Sequence, residues 1–348
     1  MADTSTATAQ QAAQELRDAL QAGFTAQLLR AFVRLGIADL LADGPRDLPT
    51  LTKALGAHPG ALAGFLGACA GEGLVEGEAE GRIAVTDRGL LLRPSGSLGQ
   101  QALWVAGPGA SRTYEHITEV VRTGKSGGEA AGQHLYDYYA AHLEEATAYE
   151  EVMSELTEGC IDALLEAYDF TAHRRIVDVG GGRGTLLARV LERAPEATGL
   201  LYDAPYVVDM ARGAQKARTE GGKDGRLEFA AGDFLESVPG GGDLYVIKSI
   251  LCDWGDEEAA RLLRNVHEAA PEGAELLIVD WFRPEPRDGA AQGLSSGGFF
   301  IWTLLGGRLR TATEMEDLVR TAGFKITRRE PDFAPGFFSW NFLAATRD

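Results

Sequence analysis

The chain is poor in cysteine, histidine and basic residues, and each shortage narrows what it can be. Three cysteines among 348 residues, at positions 69, 160 and 252, offer no disulfide framework. Six histidines, at 58, 116, 134, 142, 173 and 267, form no HxxxH pair and no CxxC accompanies them, so no metal site is expected. Lys and Arg number 33 against 51 Asp and Glu, a net charge of −18. Nucleic-acid affinity comes mostly from cations that neutralise phosphates, so this balance argues against a nucleic-acid partner. No apolar run approaches the ~18 residues of a membrane span, and no membrane association is expected. The opening MADTSTATAQQAAQEL lacks the basic and apolar segments of a secretory signal, and a cytoplasmic location is expected.

What remains is globular composition, 45% hydrophobic and 24% charged, in a chain long enough for two domains. Residues 9 to 31 read as a helix with apolar positions Leu16, Leu20, Phe24, Leu28 and Leu29 spaced three or four apart. Three shorter amphipathic segments follow, each closed by Gly. Two extended runs then flank the Gly-rich turn EGEAEGR, so residues 28 to 93 read as a winged helix. Its candidate recognition segment, HPGALAGFLGACAGEGL, carries no Arg or Lys to meet phosphate or a guanine edge. A packing module reused for dimerisation is the expectation for residues 1–112. Residues 113–168 are again mostly helical, with tyrosines at 136, 138, 139 and 149. They are expected to connect the domains and cover the active site.

From 174 onward, near-continuous apolar runs alternate with helices, the pattern of a mostly parallel sheet covered on both faces. The last two strands are joined by DFAPGF, too short for a parallel crossover, so the α/β domain at 169–348 is expected to end in an antiparallel hairpin.

IVDVGGGRGTLLARVL is a strand, a Gly-rich turn and a helix. Gly180, Gly182 and Gly184 let the backbone turn tightly and approach a ligand at a helix N-terminus. A dinucleotide fingerprint needs a further Gly at 185, where this chain has Thr185, so the pyrophosphate reading loses support. Asp203 ends the next strand about 20 residues on and can accept from ribose hydroxyls. Asp233, with Phe234, ends the third and can pair with and cover an adenine ring. That second acid favours S-adenosylmethionine. Asp178 either touches ligand or holds the glycine loop through backbone amides.

With these residues in place, DVGGGRGTLL, LYDAP, GDF, IKSILCDWGDEEAARLL and GGRLRT, in this order behind a winged helix, resemble the small-molecule O-methyltransferases of the caffeate type and their bacterial antibiotic-tailoring relatives. The resemblance implies a class I methyltransferase fold with a seven-stranded Rossmann-like sheet, an N-terminal winged-helix dimerisation domain and a homodimer. S-adenosylmethionine is the implied cofactor, S-adenosylhomocysteine its product, and a small-molecule acceptor the partner. Carried over by position, Gly180 and Gly182 match the cofactor loop, Asp203 the ribose acid, Asp233 and Phe234 the adenine contacts, and Lys248 the lysine four residues before the base. Tyr149 and Met153 match the aromatic and Met that cover cofactor and substrate, while Phe299, Phe300, Trp302 and Thr303 stand where the substrate wall is expected.

At the base itself the chain departs from the pattern. Where the family has His before Asp-Trp and two orienting glutamates downstream, this sequence has Cys252 before Asp253, then Asp280 and Leu309. Cys252, Asp253 and Asp280 are therefore the catalytic candidates. An unperturbed thiol is only about 3% thiolate at pH 7, so use as a base costs roughly 2 kcal/mol before any chemistry. Cys252 reads as a small apolar wall residue, a weak hydrogen-bond partner or a nucleophile, and His267, fifteen residues on, is expected to face solvent. The leading function is methyl transfer to a small aromatic or polyketide-like natural product, working mainly by proximity. Two others differ in class: an S-adenosylmethionine-binding enzyme performing hydroxylation, decarboxylation, elimination or a pericyclic step, and a ligand-binding winged-helix regulator.

Overall fold

The computed structural model describes residues 2–77, 79–218, 225–285, 296–335 and 339–348. The chain divides into two compact units, Met1–Ser111 and Arg112–Asp348. Among the described residues no helix is long and apolar enough to cross a membrane.

In the first unit the helix Ala2–Arg34 leads into the short helices Ile37–Ala42, Leu48–Leu55 and Pro59–Gly71. Their boundaries follow local chemistry. Asp47 caps the second of these by accepting from the Thr50 amide, with Pro at the start of the helix, and His58 caps the third before Pro59. The expected wing is present as β2 (Val75–Gly77) and β3 (Arg82–Val85). It is joined by β1 (Arg46–Asp47), too short for the sequence pattern to reveal, in the order β1-β3-β2. Phe32, Ile37, Leu41, Leu51, Leu66 and Cys69 fill the core. Of the apolar stripe on the long helix, Leu28 is buried, whereas Leu16, Leu20 and Phe24 are 66%, 84% and 70% exposed.

The second unit holds a seven-stranded sheet built from β4 (Arg175–Val179), β5 (Thr198–Asp203), β6 (Leu227–Ala231), β7 (Leu244–Lys248), β8 (Glu275–Trp281), β9 (Phe324–Ala334) and β10 (Trp340–Arg347). The order is β6-β5-β4-β7-β8-β10-β9, parallel through β8, with β10 antiparallel to both neighbours. Strand alternation divides the apolar residues between two cores. Ile176, Leu244, Val246, Leu277 and Val279 pack with the helices Leu143–Ala167 and Thr185–Arg193, among whose residues are Leu164, Leu187 and Val190. Val177, Val179, Tyr245, Ile247 and Ile278 pack on the other face with Leu262, Leu263 and Val266 of the helix Asp256–Ala269. His267 on that helix is half-buried, its ring edge-on to Phe324 at 5.1 Å and against Gly323, rather than solvent-facing as expected.

SGGEAAGQ, at 126–133, has no evident reading in the sequence, but it has a structural one. Ser126 is fully buried and forms a reciprocal capping box with Glu129, while a side chain on Gly127 would strike the Thr113 carbonyl at 2.3 Å. The sequence pattern also marks loops at the Gly cluster 221–225 and, by Pro and Gly content, at 284–298; of these only Gly225 and residues 284, 285 and 296–298 are among the described residues.

Candidate active site

Strand order reverses at β4, which has β5 on one side and β7 on the other, and open α/β sheets bind ligands at the carboxyl ends beside such a switch. Gly180 follows β4 with φ 73°, a conformation that disfavours any side chain, and an added Cβ would meet the Ile250 side chain at 2.5 Å. Gly182, at φ 55°, donates its amide to Asp203 Oδ2 at 2.9 Å. The Ala204 amide donates to Asp203 Oδ1 at 2.7 Å. The acid at the end of β5 thus ties down the glycine loop, the task the sequence offered as one reading of Asp178. Asp178 Oδ2 is buried with no hydrogen-bond partner among the described residues.

These elements floor a cavity of about 690 Å³, within the range of ~300–1,000 Å³ usual for ligand sites. Tyr149, Met153, Asp178, Gly180, Gly182, Asp203, Asp233, Phe234 and Lys248 all line it. Asp233 accepts from the Leu235 amide at 2.8 Å, and Phe234 stands edge-on to Trp254 with centroids 5.9 Å apart. Lys248 reaches Ser249 Oγ at 3.2 Å and lies 5.0 Å from the Trp340 ring centroid. Cys252, Asp253, Asp280, Phe299, Phe300, Trp302 and Thr303 are not among the lining residues. Trp302 Nε1 donates to the Gly124 carbonyl, Thr303 Oγ1 to the Phe299 carbonyl, and Phe300 packs near Tyr114.

Other wall residues include Glu150, Ser249 and His134, which escaped the sequence reading, and Tyr136, named there only among the tyrosines of a covering segment. Glu150 is 7% exposed, with Oε2 3.0 Å from where a Gly182 Cβ would stand. Its signal was periodicity: Ala146, Glu150, Met153 and Thr157 are spaced as one helical face, and an acid on such a face is unusual. Ser249 carries a left-handed φ of 54°, uncommon outside glycine and often found at functional sites. Tyr136 and His134 come from the helical segment well upstream. His134 stacks on Trp254 at 5.5 Å, its Nδ1 taking the Tyr136 amide and its Nε2 facing the Leu305 carbonyl at 3.2 Å, which commits the ring to structure.

Burial sets the electrostatics. It pushes Glu150 up to about 8, helped by Asp203 and opposed by Arg183 and Lys248. It pushes Asp178 up to about 7 against the pull of Lys248, and Asp203 to about 6 against its two backbone amides. Burial also lowers Lys248. Five carboxyl groups line the cavity, those of Asp137, Glu150, Asp178, Asp203 and Asp233, against the two cations Lys248 and Arg183, so the wall favours a cationic ligand.

Behind the wall, Cys252 sits in the turn Leu251–Asp253, 2% exposed among Ile301, Leu309 and Trp281. Its amide donates to Asp280 Oδ2 at 3.1 Å and its Sγ lies 3.6 Å from Asp253 Oδ1. Burial first, then Asp280 and Asp253, hold the thiol well above its ordinary value. Arg310, 1% exposed, pins the turn by donating to the carbonyls of Leu251 at 2.6 Å and Trp254 at 3.0 Å while pairing with Asp256 at 2.8 Å. Close approach of the same segment is possible because Gly307 has no side chain: a Cβ would be 2.1 Å from the Cys252 carbonyl. Tyr136 donates to Asp253 Oδ2 at 2.5 Å and its hydroxyl lies 3.1 Å from that of Tyr149.

The family profile of the O-methyltransferase domain matches residues 114–325. The chain belongs to the O-methyltransferase family. This methyltransferase is 33% identical to O-demethylpuromycin-O-methyltransferase of Streptomyces alboniger, over 99% of this chain and 92% of that one. The solved structure of mitomycin 7-O-methyltransferase MmcR superposes with a TM-score of 0.86 at 30% identity, covering 99% of this chain and 100% of that one. CalO1, a methyltransferase in calicheamicin biosynthesis solved in its S-adenosylhomocysteine-bound form, gives 0.67 at 30% identity over 97% and 98%. The winged-helix and Rossmann-like reading therefore stands, and the methyltransferase uses S-adenosylmethionine. The residues fit that cofactor: a glycine loop open to close approach, an unpartnered buried carboxylate oxygen on Asp178, and acids at the ends of β5 and β6. When bound, the cofactor supplies an electrophilic methyl group on a sulfonium.

Proposed function

We propose that the methyltransferase acts on a small aromatic or polyketide-like natural product, aligning it against the cofactor's methyl group without a base at position 252. The observation that carries this reading is the cavity, contiguous with the glycine loop and walled by the rings of Tyr136, Tyr149, Phe234 and Trp254. In the proposed arrangement Gly180, Gly182 and Asp178 meet the methionine part, Asp203 the ribose, and Asp233 and Phe234 the adenine. Lys248 offsets the acids, and Tyr149 and Met153 hold acceptor and methyl together. Phe299, Phe300, Trp302 and Thr303 support the acceptor wall from their own helix.

Cys252 stands where the family's catalytic type has His, and its environment suits packing. A thiol raised by burial and by two acids is a poorer base than a free one, so alignment carries the transfer. Asp280 holds the Cys252 amide and thereby the turn, and Asp253 presents its carboxylate to Tyr136. Cys252→Ala is expected to keep kcat within about threefold of the parent, whereas loss of a working base costs about 10²-fold or more. A hundredfold fall at unchanged S-adenosylhomocysteine affinity would restore a catalytic thiol. The protein is proposed to work in the cytoplasm as a homodimer. Leu16, Leu20 and Phe24, exposed along one helix, support pairing through the N-terminal unit.

A further inference from the structure

We infer that Tyr149, Tyr136 and Asp253 form a proton relay, carrying the acceptor's hydroxyl proton away from the cavity as the methyl group is transferred. This rests on the reading above that the cavity methylates a hydroxyl acceptor, and it says where the proton goes once position 252 offers no base. The sequence placed Tyr136 among the tyrosines of a covering segment, but it did not reveal the chain of contacts that Tyr136 joins.

The hydrogen-bond inventory fixes the direction. A phenol has one proton to donate and two lone pairs to accept with. Tyr136 commits its proton to Asp253 Oδ2 at 2.5 Å. The 3.1 Å contact between the two hydroxyls is therefore donated by Tyr149. Both rings line the cavity, and Tyr149, its proton directed inward, meets an acceptor hydroxyl with a lone pair. Asp253 lies one link behind the wall, 6% exposed.

Asp253 suits the end of such a chain. The groups that face it are Tyr136 and Tyr149 from the helical segment, Cys252 beside it, Asp280 at the end of β8 and Lys248 at the end of β7. Burial, with Asp280 adding repulsion, lifts its carboxyl to about 7 against the hydrogen bond from Tyr136. It is therefore ionised above neutrality, yet takes a proton readily. In the transfer, the acceptor oxygen's lone pair forms the new O–C bond, and the electron pair of the broken S–C bond stays on sulfur, giving S-adenosylhomocysteine. The acceptor's proton passes to Tyr149, that of Tyr149 to Tyr136, and that of Tyr136 to Asp253 Oδ2. No oxidant, reductant or further reactant is needed.

Tyr136→Phe and Tyr149→Phe each break one link and keep the ring, so one tests the relay if the other folds poorly. The full chain is assayed with a phenolic acceptor that it methylates and with that acceptor's nitro-substituted analogue, ionised at the assay pH. S-adenosylhomocysteine affinity, measured calorimetrically, reports whether the site is intact. The relay predicts that each variant lowers kcat about 10²-fold with the parent phenol and less than about threefold with the ionised analogue. Affinity for S-adenosylhomocysteine stays unchanged. It also predicts that kcat of the parent protein rises with pH through the ionisation of Asp253 and that Asp253→Asn abolishes this limb. An equal loss with both acceptors marks Tyr136 as merely structural and overturns the relay, as does an undiminished kcat with the parent phenol. If no hydroxyl acceptor is methylated while cofactor binding is intact, the function on which the relay rests falls, and the relay with it.

Discussion

Replacing Asp203 with Ala is expected to weaken S-adenosylhomocysteine binding about 10²-fold in isothermal titration. Its carboxylate holds the amides of Gly182 and Ala204 at 2.9 and 2.7 Å. Losing it orphans two donors at the turn on which the cofactor rests. Hydrogen bonds to a charged partner are worth about 1.5–3 kcal/mol, so losing the anchored loop and the ribose contact costs ~3 kcal/mol of binding, about 10²-fold. Burial opposes the ionised form of this acid, so its removal relieves part of that cost and the apo fold changes less than the affinity does. Asp203→Asn keeps an acceptor oxygen and is expected to lose about tenfold. Affinity within threefold of the parent in the Ala variant would remove Asp203 from the cofactor site.

Arg310→Met is expected to destabilise the fold by about 3–5 kcal/mol in urea denaturation, the range for breaking a buried charged network from one side. The guanidinium is almost fully buried, and its removal leaves the carbonyls of Leu251 and Trp254 without this donor. Asp256, by contrast, has a side chain 57% exposed and regains water. Arg310→Lys should not rescue, because an ammonium cannot span two carbonyls and a carboxylate as the planar fork does. Because the turn it pins carries Cys252 and Asp253, activity should fall along with stability. A change below 1 kcal/mol would mean that the turn is held by other contacts.

Much of the fold was legible because it rests on local rules. The apolar strands from 174 onward imply a two-faced parallel sheet, and DFAPGF implies the antiparallel pair β9 and β10, which pair as expected although residues 336–338 lie outside the described set. The cofactor end was legible for the same reason: the glycines and acids stand at or just past the carboxyl end of a strand, where topology alone brings them together.

The rest depends on contacts between distant segments. Tyr136 meets Asp253 across 117 residues, and Arg310 meets Leu251 across 59. A helical period tells which face of Leu143–Ala167 is buried, but not that Glu150 on that face lies against Gly182. Likewise the amide clamp fell to Asp203 rather than Asp178, a choice of geometry that two similar acids at strand ends cannot disclose.

The central claim, that this cavity moves a methyl group from S-adenosylmethionine to a small aromatic acceptor, is tested most directly with methyl-labelled cofactor. The protein is incubated with a panel of phenols, thiols, amines and enolisable acids, and both S-adenosylhomocysteine and labelled product are quantified by mass spectrometry. The account predicts at least one aromatic acceptor gaining a single labelled methyl, with S-adenosylhomocysteine formed one for one. Cofactor bound but never consumed, with an acceptor oxidised, decarboxylated or rearranged and carrying no label, would contradict it.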